Sequence, residues 1–413
     1  MFTRIFTRRD LLKSLMLTGG LTLLPLGARG WALAAPEPTN RRLIVILMRG
    51  AVDGLSLVTP YREQNYYQAR SNIALSPPGQ TDGLIDLDGF FGLNPSLSPL
   101  MPLWQNRTLA FVHASGSPAE TRSHFEAQDI MEAALLNSAA ATQGWMNGLV
   151  QALPDNHSAT RALSFGNTMP KIFEGPANVA TVPNGIKGGH ASNMDTQTAK
   201  EFGQLYGGNP KLGGLYQEAV SAREGMMQDL QGEMMASGKN APGADAFVTQ
   251  SQRVAEMINR DPSIQLVFMD VGGWDTHVNQ GNAKGQLANK LGKLGEALAA
   301  LTTGLGDQYR NTTILIMSEF GRTVAQNGNN GTDHGHGNVA WLMGGDVKGG
   351  KVYTRWPGLN PNQLWEGRDL AVTTDFRSVI GTTVAGTFGL GNDALSKVIA
   401  GYKPDTGLQG IVG

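Results

Sequence analysis

Five strand-length runs limit what this chain can fold into: Leu43–Met48 (LIVILM), Leu109–His113 (LAFVH), Ile264–Met269 (IQLVFM), Thr312–Met317 (TTILIM) and Val339–Met343 (VAWLM). Each is nearly continuous in apolar residues, without the in-out alternation of a half-exposed strand. Such runs read as strands buried on both faces, the habit of parallel sheets. Between the third and fourth, Leu287, Leu291, Leu294, Leu298, Leu301 and Leu305 recur at steps of four and three. The pattern is isolated and interrupted by glycines, so it predicts a crossover helix packed on a sheet and not a coiled-coil seam. Thr374–Leu390 reads as a closing helix, with Thr374 or Asp375 at its N-cap. The expected fold class is α/β, a mainly parallel sheet flanked by helices. From about 166 to 243 the sequence is loop-like, then methionine-rich over Leu215–Met235, and reads as an insertion or cap. Its methionines come in adjacent pairs without histidine, which suits filling an irregular contact better than binding copper. His157 and His190 sit in polar stretches and read as exposed bystanders.

Open parallel sheets place ligands beyond the carboxyl ends of their strands. Four of the five runs deliver polar groups to that edge. Asp53 lies five residues after the first run, and His113 closes the second. Asp270 follows the third directly, with Asp275 and His277 just beyond in GGWDTH. Glu319 is two residues past the fourth. A glycine-rich loop, GTDHGHG, then adds Asp333, His334 and His336. Carboxylate oxygens and imidazole nitrogens together suit a divalent ion: zinc or manganese, with magnesium or calcium where oxygen donors dominate. Taken singly, an aspartate before glycine is often a turn residue and a loop glutamate is often merely solvated. Their coincidence on one sheet edge predicts a metal site.

The first residues predict where such a site operates. Thr7-Arg8-Arg9-Asp10-Leu11-Leu12-Lys13 has the paired arginines of a twin-arginine export signal. An uncharged stretch from Ser14 to Leu26 follows, and Ala32-Leu33-Ala34 supplies a small-x-small cleavage site. The stretch is short and contains glycines and a proline, which disfavours a membrane anchor. A leader over residues 1–34 and a soluble periplasmic or secreted product are expected, with the twin-arginine translocase as transient partner and no stable membrane insertion. Removing the leader, with five basic groups and one acid, leaves 28 basic and 33 acidic side chains, a net of −5. That balance, without a basic run, argues against nucleic acid or an anionic membrane as partner. With no cysteine there is no disulfide, thiolate ligand or cysteine nucleophile. No Gly-x-Gly-x-x-Gly follows the first strand, which disfavours a dinucleotide-dependent oxidoreductase.

At these residues the chain resembles a known family. The stretches LIVILMRGAVDG, ETRSHFEAQD, GGWDTH, SEFGRT, GTDHGHGNVAWLMGG and TTDFRSVIG resemble, in order, those of the Tat-exported bacterial domain of unknown function 1501, which is similar to the alkaline phosphatase and sulfatase superfamily. The resemblance implies an alkaline-phosphatase-like domain over 35–413 holding one or two ions. It implies Asp53 as first-strand carboxylate ligand, Asp275 and His277 as a later aspartate–histidine pair, Glu319 as second-site carboxylate, and His334 or His336 as last histidine. Two features depart from that superfamily: Phe320, not a histidine, follows Glu319, and the Asp275–His277 spacing is short.

The resemblance also implies a hydroxyl nucleophile at a helix N-terminus, where free amides favour an anion. Ser123 stands so, before FEAQDIMEAAL, with Thr121 as a substitute. Ser123 and Glu126 equally spell a capping box. Arg122 has the shape to pair with a phosphate or sulfate, and also reads as a surface arginine. His124 reads as ligand, base or packed ring. The expectation is an exported metal-dependent hydrolase of phosphate or sulfate esters acting on a small-molecule or glycan ester. Its rival is a non-catalytic exported protein using the same metal-stabilised fold for binding or assembly.

Overall fold

The computed structural model describes residues 40–154, 158, 160–183 and 237–413. The leader, the methionine-rich segment, His157 and His190 lie outside the described residues. In chain order the strands are β1 (Arg42–Met48), β2 (Val58–Thr59), β3 (Ile85–Asp86), β4 (Gly92–Leu93), β5 (Leu109–Gly116), β6 (Ala162–Phe165), β7 (Ala180–Val182), β8 (Leu266–Val271), β9 (Thr312–Ser318), β10 (Asn338–Gly344), β11 (Lys351–Tyr353) and β12 (Thr374–Asp375). All five apolar runs are strands. Every residue of β1, β5, β8, β9 and β10 is buried, as a sheet covered on both faces requires.

The main sheet runs β11-β5-β10-β9-β1-β8-β6-β7, with β12 also paired to β5. Only β10 opposes its neighbours, β5 and β9; the other described pairings in this sheet are parallel. β2, β4 and β3 form a small separate antiparallel sheet. Part of the expected insertion belongs to the main sheet instead: β7 pairs with β6 in parallel. Short apolar segments flanked by glycine and proline hide such edge strands from pattern reading.

Side chains of successive strand residues point to opposite faces, and β1 shows the result. Ile44, Ile46 and Met48 join the core beneath the helix Gln286–Leu305, whose six periodic leucines are all buried there. Leu43, Val45 and Leu47 join the other core, with Val379, Ile380 and Val384 of the helix Phe376–Phe388. Asp375 caps that helix by accepting from the Arg377 amide. Among the described residues, no helix is long and apolar enough to cross a membrane.

Register fixes where the loops leave. Met48 pairs with Val271 on one side and Ser318 on the other, so β1, β8 and β9 end level. The segments carrying Gly50, Asp275 and Glu319 therefore emerge together at one edge.

Candidate metal centre

Three loops and one helix terminus build this edge. After β1 the backbone enters left-handed conformation at Gly50 and Ala51 (φ 108° and 53°). That turn presents the Gly50 amide to Glu319 Oε1 at 2.8 Å and the Gly50 and Ala51 carbonyls to the buried guanidinium of Arg322, at 2.6 and 2.5 Å. The GTDHGHG loop folds back on the segment after β9: Thr323 N donates to Asp333 O at 2.9 Å, and Gly335 N to Gly321 O at 2.8 Å. A Cβ at Gly331 would collide with the His277 backbone, and one at Gly335 with that of Arg322. Only glycine allows approaches this close, and they carry His334 inward. His124 enters from the first turn of the helix His124–Ala133.

Their side chains meet at one point. His124 Nε2 lies 2.9 Å from His334 Nε2, and His277 Nε2 lies 3.0 Å from the same atom. Asp275, fully buried, brings Oδ1 to 2.9 Å from His277 Nε2 and Oδ2 to 3.5 Å from His124 Nε2. Ligating atoms of His124, Asp275 and His334 all lie within 4.8 Å of one another.

The outward-facing ring nitrogens are held. His124 Nδ1 meets Glu319 Oε1 at 2.8 Å, His277 Nδ1 meets Asp333 Oδ1 at 3.1 Å, and His334 Nδ1 meets the Arg122 carbonyl at 3.0 Å. Each acceptor favours a proton on Nδ1, which leaves the Nε2 lone pairs converging. Partners of this kind fix the tautomer and orientation of metal-binding imidazoles. Asp275 Oδ1 accepts from Arg322, whereas Oδ2 is buried without a hydrogen-bond partner among the described residues. An orphaned buried carboxylate oxygen beside converging imidazole nitrogens fits a divalent cation. Zinc holding nitrogens at about 2.0–2.1 Å sets adjacent donors on the order of 3 Å apart, the spacing found here.

Electrostatics agree with the geometry. Burial raises the Asp275 carboxyl, but His124, His277, His334 and Arg322 overcome it and hold Asp275 far below the ordinary range. Burial likewise opposes charge on His124, yet Asp275 and Glu319 lift it to about 9. His277 is raised against burial by Asp275 and Asp333, while burial depresses His334. Without an ion, protons thus occupy the cation's place. Binding a cation at His124 must expel such a proton. Zinc affinity is therefore expected to fall about tenfold per pH unit per proton released below the His124 pKa, and to level off above it. Calorimetry in buffers of different ionisation enthalpy would count the protons. Affinity constant from about pH 6 to 9 would exclude His124 as a ligand.

Of the residues singled out in the sequence, His124, Asp275, His277 and His334 are brought together. Glu319 and Asp333, expected as ligands, instead hold the rings of His124 and His277. Asp53 is set apart from the cluster. Its Oδ2 accepts from Arg70 at 2.6 Å, Ser56 at 2.7 Å and Gln280 at 2.7 Å, and its Oδ1 from Arg70 at 3.0 Å. Asp53 is thus half of a buried, bidentate ion pair. His336 stacks on Trp365, with centroids 4.1 Å apart. His113 turns to the small sheet, meeting the Val58 carbonyl at 2.8 Å. Arg122 pairs with Asp369 at 2.9 Å and Glu366 at 2.5 Å. Ser123 is exposed at the N-cap and makes no side-chain capping bond; Thr121 takes Glu126 instead, at 2.7 Å, so the capping box does not form. The sequence did not reveal Arg70 and Gln280 as partners of Asp53, or Gln128 as a partner of Glu319. Arg49 carried a signal: an arginine ending a buried strand needs acids, and it finds Asp270 and Glu132 at 2.7 and 2.8 Å.

A family model described as "Protein of unknown function (DUF1501)" matches residues 90–400. No curated protein matches the chain. Several solved structures show a distant similarity. A protein in the alkaline phosphatase superfamily from Vibrio parahaemolyticus shares 8% identity, with 76% of this chain and 62% of that one covered, at a TM-score of 0.38. The chain therefore spans less than two thirds of that protein's length. Ps i-CgsB in complex with k-i-k-neocarrahexaose shares 11% identity, covering 86% and 73%, at 0.41. The C-terminal periplasmic domain of EcEptC from Escherichia coli, in complex with Zn, shares 10%, covering 74% and 72%, at 0.37.

Proposed function

The chain belongs to the DUF1501 family, described only as proteins of unknown function, and on that premise we propose from its site that it is an exported, metal-dependent hydrolase of phosphate or sulfate esters. The observation that carries this reading is the convergence of His124 Nε2, His334 Nε2 and the orphaned Asp275 Oδ2, with His277 beside them. A divalent ion held there would supply Lewis acidity toward an ester oxygen. The remaining work falls to the chain. Glu319, Asp333 and the Arg122 carbonyl keep the three rings aimed. Ser123, adjoining His124, offers a hydroxyl not used in capping, at a helix N-terminus whose amides favour an anion. Arg122 offers a planar fork for the ester's anionic group. The ester class is supported by the likeness of the family that the quoted stretches resemble to the alkaline phosphatase and sulfatase superfamily.

Ser123→Ala tests the chemistry. Turnover of an aryl phosphate or aryl sulfate should be lost, with metal content unchanged. Because Ser123 makes no capping bond, the melting temperature should hold, whereas loss of a true cap costs about 1 kcal/mol. If metal-replete wild type hydrolyses no phosphate monoester, diester or sulfate ester, the metal-stabilised binding role takes its place. Export is part of the same proposal and is supported by Arg8, Arg9 and the apolar stretch behind them. Changing both arginines to lysine should strand folded precursor in the cytoplasm; normal periplasmic accumulation would refute this route.

A further inference from the structure

Two residues before His124, Arg122 carries a guanidinium with two unequal carboxylate partners. Arg122 is tied to His334 through its own carbonyl, and its guanidinium lies 5.0 Å from the centroid of the Trp365 ring. Its Nη2 donates to Asp369 at 2.9 Å and to Glu366 at 2.5 Å. Its Nε is buried and has no partner among the described residues, so the edge suited to a tetrahedral oxyanion is only half used.

The two carboxylates differ in how they are held. Asp369 is fully buried, is also contacted by Arg368 at 3.0 Å, and exchanges backbone hydrogen bonds with Trp365. It is a fixed part of the wall. Glu366 is half exposed and touches Arg122 from the tip of a tight turn. Its φ is 53° and that of Gly367 is 67°. Successive left-handed residues favour asparagine or glycine, and a glutamate there is conformationally costly. The backbone gives no reason for glutamate at this tip; its carboxylate on Arg122 does. An exposed ion pair of this kind is weak enough for a ligand to displace.

We infer that Glu366 is a displaceable stand-in for substrate: its carboxylate occupies the oxyanion position of Arg122 until a phosphate or sulfate group takes it. This rests on the hydrolase reading for the identity of the ligand but not for its measurement. Glu366 acts through Arg122 and is a positioning residue.

The test is calorimetric titration of the full chain with inorganic phosphate, as purified and after zinc addition. Glu366→Gln should bind phosphate about fivefold more tightly than wild type. In an Arg122→Gln background the same change should have no effect. An unchanged or weaker affinity in Glu366→Gln, or no phosphate binding by that variant, overturns the inference. So does an equal gain in the Arg122→Gln background, which would reflect lost negative charge alone. A gain without ester hydrolysis would leave this inference standing while the hydrolase reading falls.

Discussion

Asp275→Ala is expected to cost the protein both its metal and much of its stability. The two losses have separate causes in one carboxylate. Oδ2 is the buried oxygen without a hydrogen-bond partner among the described residues, facing His124; removing it deletes the carboxylate that joins His124 and His334 in the donor cluster. Oδ1 neutralises Arg322, whose guanidinium is fully buried and, among the described residues, otherwise donates to backbone carbonyls. Breaking such a pair from one side strands a buried charge, at about 3–5 kcal/mol. Elemental analysis of purified protein should show near-stoichiometric divalent metal in wild type and little in the variant. Chemical denaturation should show the stability loss even when both proteins are stripped with chelator. Asp275→Asn keeps the shape and serves where the alanine variant does not fold. Retention of full metal by either variant would remove Asp275 from the ligand set.

Asp53→Ala should give a comparable destabilisation with metal retained. Its oxygens are filled by Arg70, Ser56 and Gln280. Arg70 also donates to the Val324 and Thr323 carbonyls, at 2.8 and 2.9 Å, and to the Ser56 hydroxyl at 3.0 Å. Desolvation raises the Asp53 carboxyl, and Arg70 reverses the shift and holds it low. Deleting the aspartate strands a buried guanidinium, again at about 3–5 kcal/mol. Metal per folded chain should stay at the wild-type level, and Asp53→Asn should behave alike with a smaller cost. Loss of metal with the fold intact would return Asp53 to the ligands.

These two aspartates show how far the sequence reaches. Both follow a strand buried on both faces, and both sit in glycine-rich segments at the same sheet edge. Nothing local distinguishes a ligand from the acidic half of an ion pair. The difference is how many oxygens distant partners take: Arg70, at the C-cap of the helix Gln64–Ala69, with Ser56 and Gln280 fills both oxygens of Asp53, whereas Arg322, in the segment after β9, takes Oδ1 of Asp275 and leaves Oδ2. His113 is a similar case: its place at the end of an apolar run is legible, but the strand's alternation turns it toward Val58 and Phe91. Glu319 and Asp333 have the composition of ligands, and only the imidazoles in front of them make them supports.

By itself the sequence determined the α/β class, the five buried strands, the leucine-faced crossover helix, a helix cap at Thr374 or Asp375 and the edge to which acids and histidines are delivered. Those features depend on period, run length and capping, which neighbouring residues carry. Tertiary structure alone decided which donors keep a free lone pair. Coordinating capacity depends on what remains after long-range partners have taken their share of each carboxylate and ring, and those partners come from segments far apart in the chain.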